Sequence, residues 1–343
     1  MKVKRILAVF LAVLMLTMFV SCNSDKGNNI SDESSQSISS GNNSSTENSS
    51  ADSSSTEPIE TREGPLLYKV SDKEGNVVWL FGSIHVGKND FYPLPEYVTE
   101  AFEGSERLAV EFDIVAYEND MSAQMESLTS LIYTDGTTVK NVIPSDLYTE
   151  AKKILVENNV YNAVLDYYLP IMWSSFIDNV LYEKIGADSS LGVDRHLINS
   201  AKNSNKEIID IESAEFQYKM MASFSKDLQI ELLKSSVESY KEKDEVQKEL
   251  KEMMDLWHKV DEKKFAEMLN EPPEFENDKE KVLYQEYTDA MTVNRNISMA
   301  KFAEDALKSG KETFICVGAA HVVGDGAMAD LLAKKGYTVE IVR

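Results

Sequence analysis

The chain has 343 residues and a formal net charge of −23, with 58 acidic against 35 basic side chains. So large a negative charge repels nucleic acids and anionic lipid headgroups, which excludes a nucleic-acid-binding protein and attachment to membranes through basic patches. The two cysteines are Cys22 and Cys316. Modification of Cys22 would leave Cys316 without a partner for an intrachain disulfide.

Residues 1–21 are predicted to be a lipoprotein signal peptide. A positively charged start precedes the apolar stretch 6–20, which is too short for a stable membrane span. Ser21 then stands before Cys22, as a small residue does at the end of bacterial lipoprotein signals. Cleavage would leave Cys22 as the lipid-bearing N-terminus of a membrane-anchored, extracytoplasmic protein. The alternatives are an ordinary secretory signal and an uncleaved anchor.

Residues 22–63 are predicted to be a disordered tether. The segment is rich in Ser and Asn and contains almost no apolar residues, so it cannot bury enough surface to offset its ordering entropy. It would link the membrane to a domain over 64–343.

The domain is predicted to have an α/β fold, with a central β-sheet flanked by helices and a helical cap inserted at about 115–290. Strands over 66–70 and 77–81 flank a Gly-Asn turn and predict a β-hairpin. Apolar spacing and turn residues predict the elements that follow. They are a helix over 95–104, a strand over 107–112, helices over 170–185 and 193–202, a strand over 207–211, a long helix over 282–307, a strand over 314–317, a helix over 327–334 and a strand over 338–342.

Two G-x-x-H sequences each follow a strand-like apolar run: Gly82-Ser-Ile-His85 and Gly318-Ala-Ala-His321. Glycine lets the backbone turn sharply as a strand ends. Each histidine would then lie at the rim of the sheet, where α/β proteins bind ligands. The other two of the four histidines lie in predicted helices. The matched placement therefore predicts one site shared by His85 and His321.

Carboxylates stand at the ends of two further predicted strands: Glu111 near the end of the strand over 107–112, and Glu212 directly after the strand over 207–211. Imidazole nitrogens and carboxylate oxygens together suit divalent Zn, Mn, Co or Fe, and an open coordination position could activate water. A second carboxylate could serve as general acid or base. Taken alone, each residue has an ordinary structural explanation, as a satisfied polar side chain, an N-cap or a salt-bridge partner.

Eight stretches, in this order and spacing, resemble the TraB/GumN family, whose relatives include PrgY and the animal Tiki proteins. The resemblance covers about 65–343. The stretches are Trp79-Leu-Phe-Gly-Ser-Ile-His-Val86, Tyr92-Pro-Leu-Pro95, Val110-Glu-Phe-Asp113, Gly192-Val-Asp194, Ile211-Glu-Ser-Ala-Glu-Phe-Gln217, Asn294-Arg-Asn296, Val317-Gly-Ala-Ala-His321 and Gly336-Tyr-Thr-Val-Glu340.

The resemblance implies a fold related to the erythromycin-esterase and ChaN-like group, and metal-dependent peptidase activity with manganese or cobalt, as in Tiki. It also implies that His85, Glu111 and His321 form the core of the site. Glu212 and Arg295 match further polar positions of the family, where Arg295 could stabilise an oxyanion or orient Glu111. A buried structural salt bridge is the alternative for Arg295.

These observations favour a lipid-anchored, extracytoplasmic hydrolase that depends on a divalent metal and acts on a peptide or protein substrate. His85, Glu111 and His321 would bind Mn, Co or Zn, and Glu212 and Arg295 would be catalytic. One alternative is an esterase-like hydrolase that needs no metal and uses a histidine as general base. The other is a non-catalytic protein that binds and sequesters a peptide signal.

Overall fold

The computed structural model describes residues 64–259 and 261–342, so the predictions for the signal peptide, Cys22 and the tether lie outside the described residues. One six-stranded sheet forms the centre of this region. Its strands are β1 (Leu67–Ser71), β2 (Val77–Ser83), β3 (Arg107–Val110), β4 (Glu207–Asp210), β5 (Thr313–Gly318) and β6 (Thr338–Val342).

The strand order is β4-β3-β5-β2-β1-β6, and four neighbouring strands, β4, β3, β5 and β2, run parallel. The hairpin partner β1 lies antiparallel between β2 and β6. Strands β2 and β5 are adjacent, with Gly82 opposite Val317, although most of the chain separates them in sequence. The carboxyl ends of the four parallel strands therefore meet at one edge of the sheet, as the α/β prediction requires.

Helices cover both the sheet and the connections between its strands. None of those in the described ranges combines the length and the apolar character needed to cross a bilayer. The α-helices are α1 (Glu96–Gly104), α2 (Ile114–Glu118), α3 (Met121–Thr129), α4 (Val139–Val142), α5 (Ser145–Glu157), α6 (Pro170–Ile185), α7 (Val193–Asn203), α8 (Ala214–Ala222), α9 (Lys226–Lys241), α10 (Lys243–His258), α11 (Glu262–Asn270), α12 (Asp278–Thr288), α13 (Asn294–Lys308), α14 (Ala319–Val322) and α15 (Met328–Lys334).

The buried apolar side chains form two cores. One core lies on the sheet and includes residues of α1, α7, α10, α11 and α13, whereas the other lies among α2, α5, α6, α8, α9 and α12. The second core contains no strand residue and so resembles a helical cap, whereas the first core is built on the sheet. The segment predicted as an insertion at 115–290 also supplies β4, α7 and α10 to the sheet layer. Trp257 of α10 even donates from Nε1 to the Gly82 carbonyl at 2.8 Å.

The long helix predicted over 282–307 is two α-helices joined by a π-helical turn, Asp289–Val293. A π turn shifts the phase of the residues that follow it, so periodicity before the turn does not fix which side chains face inward after it. Arg295 and Asn296, directly after this turn, are both buried. Turns of this kind are frequent at functional sites.

Candidate active site

Three of the predicted site residues, His85, Glu111 and His321, converge over Gly318. A Cβ atom built on Gly318 would lie 3.3 Å from Glu111 Oε1, 3.6 Å from His85 Nε2 and 3.7 Å from His321 Cδ2. Each residue follows the carboxyl end of a parallel strand, as the sequence predicted: β2, β3 and β5. The parallel pairing of these strands therefore brings together residues from the two ends of the domain.

The glycines of both G-x-x-H sequences permit close approach rather than an unusual backbone conformation. Gly318 has a φ of −51° and a ψ of 138°, which other residues adopt readily. A Cβ atom on Gly82 would lie 3.0 Å from Ala319 Cα, and the Gly318 amide donates to Glu111 Oε1 at 2.9 Å. The chain does change from strand to helix at Gly318, and it is the close packing around Gly82 and Gly318, not an unusual backbone conformation, that favours glycine there.

His85 is oriented by Asp194 of α7, whose Oδ2 lies 2.9 Å from His85 Nδ1. Burial of the ring opposes protonation, but the Asp194 carboxylate outweighs it and raises the pKa of His85 to about 9. The loop that carries His85 is tied to the start of α7, since the Val193 amide donates to the Ile84 carbonyl at 2.9 Å. Nδ1 is therefore committed to Asp194, and Nε2 faces the convergence point.

His321 is oriented by Asn296 of α13, whose Oδ1 lies 2.7 Å from His321 Nδ1. Asn296 Nδ2 donates to the Gly326 carbonyl at 3.0 Å, so Oδ1 is an acceptor and Nδ1 of His321 carries the proton. Burial, followed by the positive charge of Arg295, lowers the pKa of His321 to about 3. The ring is neutral at physiological pH, with a lone pair on Nε2.

Glu111 is a buried carboxylate with a partner on each oxygen. Its Oε2 accepts from Arg295 Nη2 at 2.6 Å and from Gln217 Nε2 at 3.0 Å, while Oε1 accepts from the Gly318 amide. Burial opposes ionisation, but Arg295 and the histidine rings outweigh it and hold the pKa of Glu111 well below its usual range. Oε1 is the Glu111 oxygen near the two imidazoles, at 3.9 Å from His321 Nε2.

Glu212 joins the same network but lies behind Glu111. Arg295 donates to Glu212 Oε1 from Nε at 2.9 Å and to Oε2 from Nη2 at 2.8 Å, and Gln217 Nε2 donates to Oε2 at 3.0 Å. Both Glu212 oxygens are therefore occupied. Arg295 is only 2% exposed. Its Nη1 also donates to the Met291 carbonyl of the π turn at 3.2 Å.

Sequence reasoning did not assign roles to three residues of this network. Asp194 and Asn296 orient the two imidazoles, and Gln217 links the two carboxylates through one amide nitrogen. All three lie in stretches that carry the family resemblance, which is the signal that could have identified them. Their side-chain partners depend on helices whose docking a strand pattern does not reveal.

A groove of about 370 Å³ opens over the convergence point and is lined by His85, Glu111, His321 and Arg295, but not by Glu212. Its volume falls in the range of small-molecule sites. A second cavity of about 30 Å³ is also lined by His85 and Glu111, together with Asp194 and Gln217. His85 and Glu111 therefore line both a large groove and a cavity with room for only a few water molecules.

The donor set fits a divalent metal by its chemistry. Two imidazole nitrogens with protein partners on the opposite ring nitrogen, and one carboxylate oxygen, match common metal ligands. Two ligands held about 2.1 Å from a tetrahedral ion are about 3.4 Å apart, and the observed His321 to Glu111 separation is 3.9 Å. Among the described residues, no group of three or more His, Cys, Asp or Glu side chains already has a metal-holding arrangement. A bound ion would therefore require His321 Nε2 and Glu111 Oε1 to draw together by roughly half an ångström.

Comparisons with known proteins agree with the sequence resemblance. Residues 66–341 match the model of the TraB/PrgY/gumN family. The chain is 23% identical over 255 residues to the uncharacterized protein YbaP of Escherichia coli K12, covering 74% of this chain and 86% of that protein. The Shigella flexneri YbaP matches to the same extent. No solved structure gave a significant match. The match over nearly all of the described domain shows that this chain belongs to the TraB/PrgY/gumN family.

Proposed function

We propose that this protein is a divalent-metal-dependent hydrolase that acts on peptides. The observation that carries the proposal is the convergence of His85, Glu111 and His321 on one point at the floor of a groove. The fixed orientation of both imidazoles, by Asp194 and Asn296, is the arrangement typical of metal-binding histidines. Membership of the TraB/PrgY/gumN family supports peptides as the substrate class.

His85, Glu111 and His321 would hold Mn, Co or Zn through two Nε2 atoms and one carboxylate oxygen. Such an ion lowers the pKa of a water molecule and polarises a carbonyl oxygen. Arg295 keeps Glu111 ionised, since its guanidinium lies 2.6 Å from Glu111 Oε2. The apolar walls of the groove would exclude bulk water from the bond that is cleaved.

We assign Glu212 and Arg295 to the support of Glu111. A proton-transfer role for Glu212, which the sequence suggested, would require its oxygens to be released from Arg295 and Gln217, because both are hydrogen-bonded and neither lines the groove. Glu212 instead accepts hydrogen bonds from Nε and Nη2 of Arg295 and so holds the guanidinium in place. Without Glu212, the buried Nε–H group would have no acceptor among the described residues, which is costly.

We further propose that the mature protein is a lipoprotein anchored outside the cytoplasm through Cys22. The support is the sequence of a charged start, an apolar stretch and Ser21 before Cys22. The peptide substrate would then be met on the outer side of the membrane that carries the lipid.

Elemental analysis and peptide cleavage by the purified protein test the metal proposal. We expect about one bound ion per chain, most of it lost in His85→Ala and in His321→Ala with the fold retained by circular dichroism. His258→Ala is the matched control, because His258 stacks on Phe91 at 5.6 Å and does not line the groove. It should keep both metal and activity.

Three results would contradict the metal-dependent hydrolase and favour another function. Full metal and full activity in both site variants would show that the G-x-x-H sequences only end strands. Hydrolysis of model esters without any bound metal would favour the esterase alternative. Peptide binding without metal and without hydrolysis would favour a sequestering protein.

A further inference from the structure

The walls of the groove are mainly apolar. Helices α10, α11 and α12, the π turn and the edge of the sheet contribute side chains to these walls. The segment that follows α11 adds two prolines. A groove of this kind binds apolar groups by removing their surface from water. The apolar lining residues are Ile84, Val86, Met253, Leu269, Pro272, Pro273, Tyr284, Tyr287, Met291, Val293, Ala319 and Ala320.

The charged groups of the groove are unbalanced. Three carboxylates line it, those of Glu111, Glu271 and Asp325, and its cations among the described residues are Arg295 and the protonated His85. Arg295 is already paired with Glu111 and Glu212, and His85 with Asp194. Glu271 and Asp325 have no side-chain hydrogen bond or ion pair with other described residues. Lys334, whose pKa is raised by Asp330 and also by Asp325, forms its ion pair with Asp330 at 2.6 Å.

Glu271 and Asp325 flank a contact at the rim of the groove. Asn270, the last residue of α11, donates from Nδ2 to the Val323 carbonyl at 3.0 Å. This bond joins the start of the segment after α11 to the loop that follows α14. The rim next to it therefore carries a carboxylate on each side.

The rim lies within a short distance of the reacting groups. Asp325 follows His321 by four residues, and four residues of fully extended chain span at most about 14 Å. A peptide lying along the groove covers this distance with about four of its own residues. A substrate group that reaches the rim is therefore separated from the bond over the imidazoles by no more than about four residues.

We infer that the groove accepts an apolar peptide segment that carries a positive charge within about four residues of the cleaved bond. A free substrate carboxylate at the rim is disfavoured, because the cations that line the groove among the described residues, Arg295 and His85, are already paired with protein carboxylates. This inference names the substrate class and rests on the proposed function, because a cleaved bond exists only if the protein is a hydrolase. The preference for a positive charge depends only on the residues that line the groove.

Binding of matched peptides tests the charge preference without turnover. Pentapeptides of leucine and alanine, acetylated and amidated, would carry one lysine, one norleucine or one glutamate at the same position. Calorimetry on the full-length protein in chelator should show lysine bound about 1.5-fold to fivefold more tightly than norleucine, the scale of exposed ion pairs. Glutamate should bind most weakly. The preference should disappear in about 1 M salt, where the Debye length is about 3 Å.

Two variants and a control assign the preference to the rim. Glu271→Gln combined with Asp325→Asn should bind the lysine and norleucine peptides equally. Glu274→Gln, an exposed carboxylate of the same segment that does not line the groove, should leave the preference unchanged. Equal binding of the three peptides by the unmodified protein, or binding of none at millimolar concentration, would overturn the inference.

Failure of the inference is distinguishable from failure of the proposed function. Metal-dependent cleavage that ignores the position of lysine in longer peptides would sink the inference and leave the function standing. A lysine preference that the rim substitutions abolish, in a protein without metal or cleavage, would uphold the inference and remove the hydrolase proposal. In the supporting outcome, the mapped cleavage sites lie within about four residues of a lysine.

Discussion

The two site histidines differ in charge because their neighbours differ. His85 faces a carboxylate, Asp194, whereas His321 faces the neutral amide of Asn296 and the cation Arg295. Burial opposes the charged form of both rings: with Arg295 it lowers the pKa of His321 to about 3, whereas Asp194 outweighs burial and raises the pKa of His85 to about 9. A metal ion would therefore displace a proton from His85 at physiological pH but none from His321.

This difference predicts how metal affinity depends on pH. Below pH 9 His85 is protonated in the folded protein, so each unit of falling pH should weaken metal binding about tenfold when one proton is released. Calorimetric titration with Mn²⁺ at pH 6, 7 and 8, in buffers with different ionisation enthalpies, measures the affinity and the proton release. Affinity that stays constant over this range would contradict the assignment of His85 as a ligand.

Asp194→Asn supplies the comparison for that titration. The amide keeps the shape of the side chain but removes the negative charge that raises the pKa of His85. The pH dependence should therefore become shallower between pH 7 and 8, and fewer protons should be released. An unchanged slope would show that another group supplies the proton.

At the scale of elements, the loop after β2 is held against the start of α7 by close backbone contact. A Cβ atom on Gly192 would lie 2.6 Å from the His85 carbonyl oxygen. Gly192→Ala should therefore displace His85, weaken metal binding roughly tenfold to a hundredfold and lower the melting temperature.

Gly104→Ala is the control for this backbone contact. Gly104 is the last residue of α1, and a Cβ atom there would meet nothing within 4 Å. Its substitution should leave metal affinity unchanged and keep or slightly raise the melting temperature, because alanine favours helix. Equal behaviour of the two variants would show that the loop tolerates a side chain at Gly192.

Helix α6 contains a buried acid in the second core. Asp178 is fully buried, and neither carboxyl oxygen has a hydrogen-bond partner of normal geometry among the described residues. Burial raises the pKa of Asp178 well above its ordinary value, although the Ser236 hydroxyl acts in the opposite direction. The folded protein therefore binds a proton that the unfolded chain releases above about pH 4.

This raised pKa predicts a stabilising substitution whose size depends on pH. The unfolded state loses its proton first, so Asp178 lowers the free energy of unfolding as pH rises above about 4 until the folded form ionises as well. Asp178→Asn removes that loss, and its stability relative to the unmodified protein should increase from pH 5 to pH 8. Urea unfolding at the two pH values measures the change. A relative loss of stability at pH 8 would contradict it.

The sequence predicted the sheet well because its strands carry local signals. Each strand has its signals, such as the hairpin turn, the apolar run or the polar residue that follows, within a few positions of itself. Parallel pairing of β2, β5 and β3 then brings His85, Glu111 and His321 together. The π turn before Arg295 and the burial of Glu212 were not predictable in this way. Both depend on how α13 docks on the sheet edge, which no local pattern records.

At the scale of the whole molecule, the proposed attachment to the membrane would depend on Cys22, which lies outside the described residues. If Cys22 carries the lipid, Cys22→Ser should release the protein into the soluble fraction or leave it as an unprocessed precursor. Fractionation of cells followed by mass spectrometry of the N-terminus distinguishes these outcomes. Unchanged processing with full membrane retention would show that another segment anchors the protein.

The central position of β5 means that the sheet cannot be completed before residues from Thr313 onward have been synthesised. This strand lies between β3 and β2, yet it begins only at Thr313. During synthesis, strands β1 to β4 and helices α1 to α13 emerge before β5, which must enter the middle of the sheet. Pairing over so long a stretch of chain is intrinsically slow, because loop closure precedes the contacts that reward it. A nascent or truncated chain that ends before Thr313 lacks His321 and the central strand, so the proposed hydrolytic site would be incomplete in such a chain.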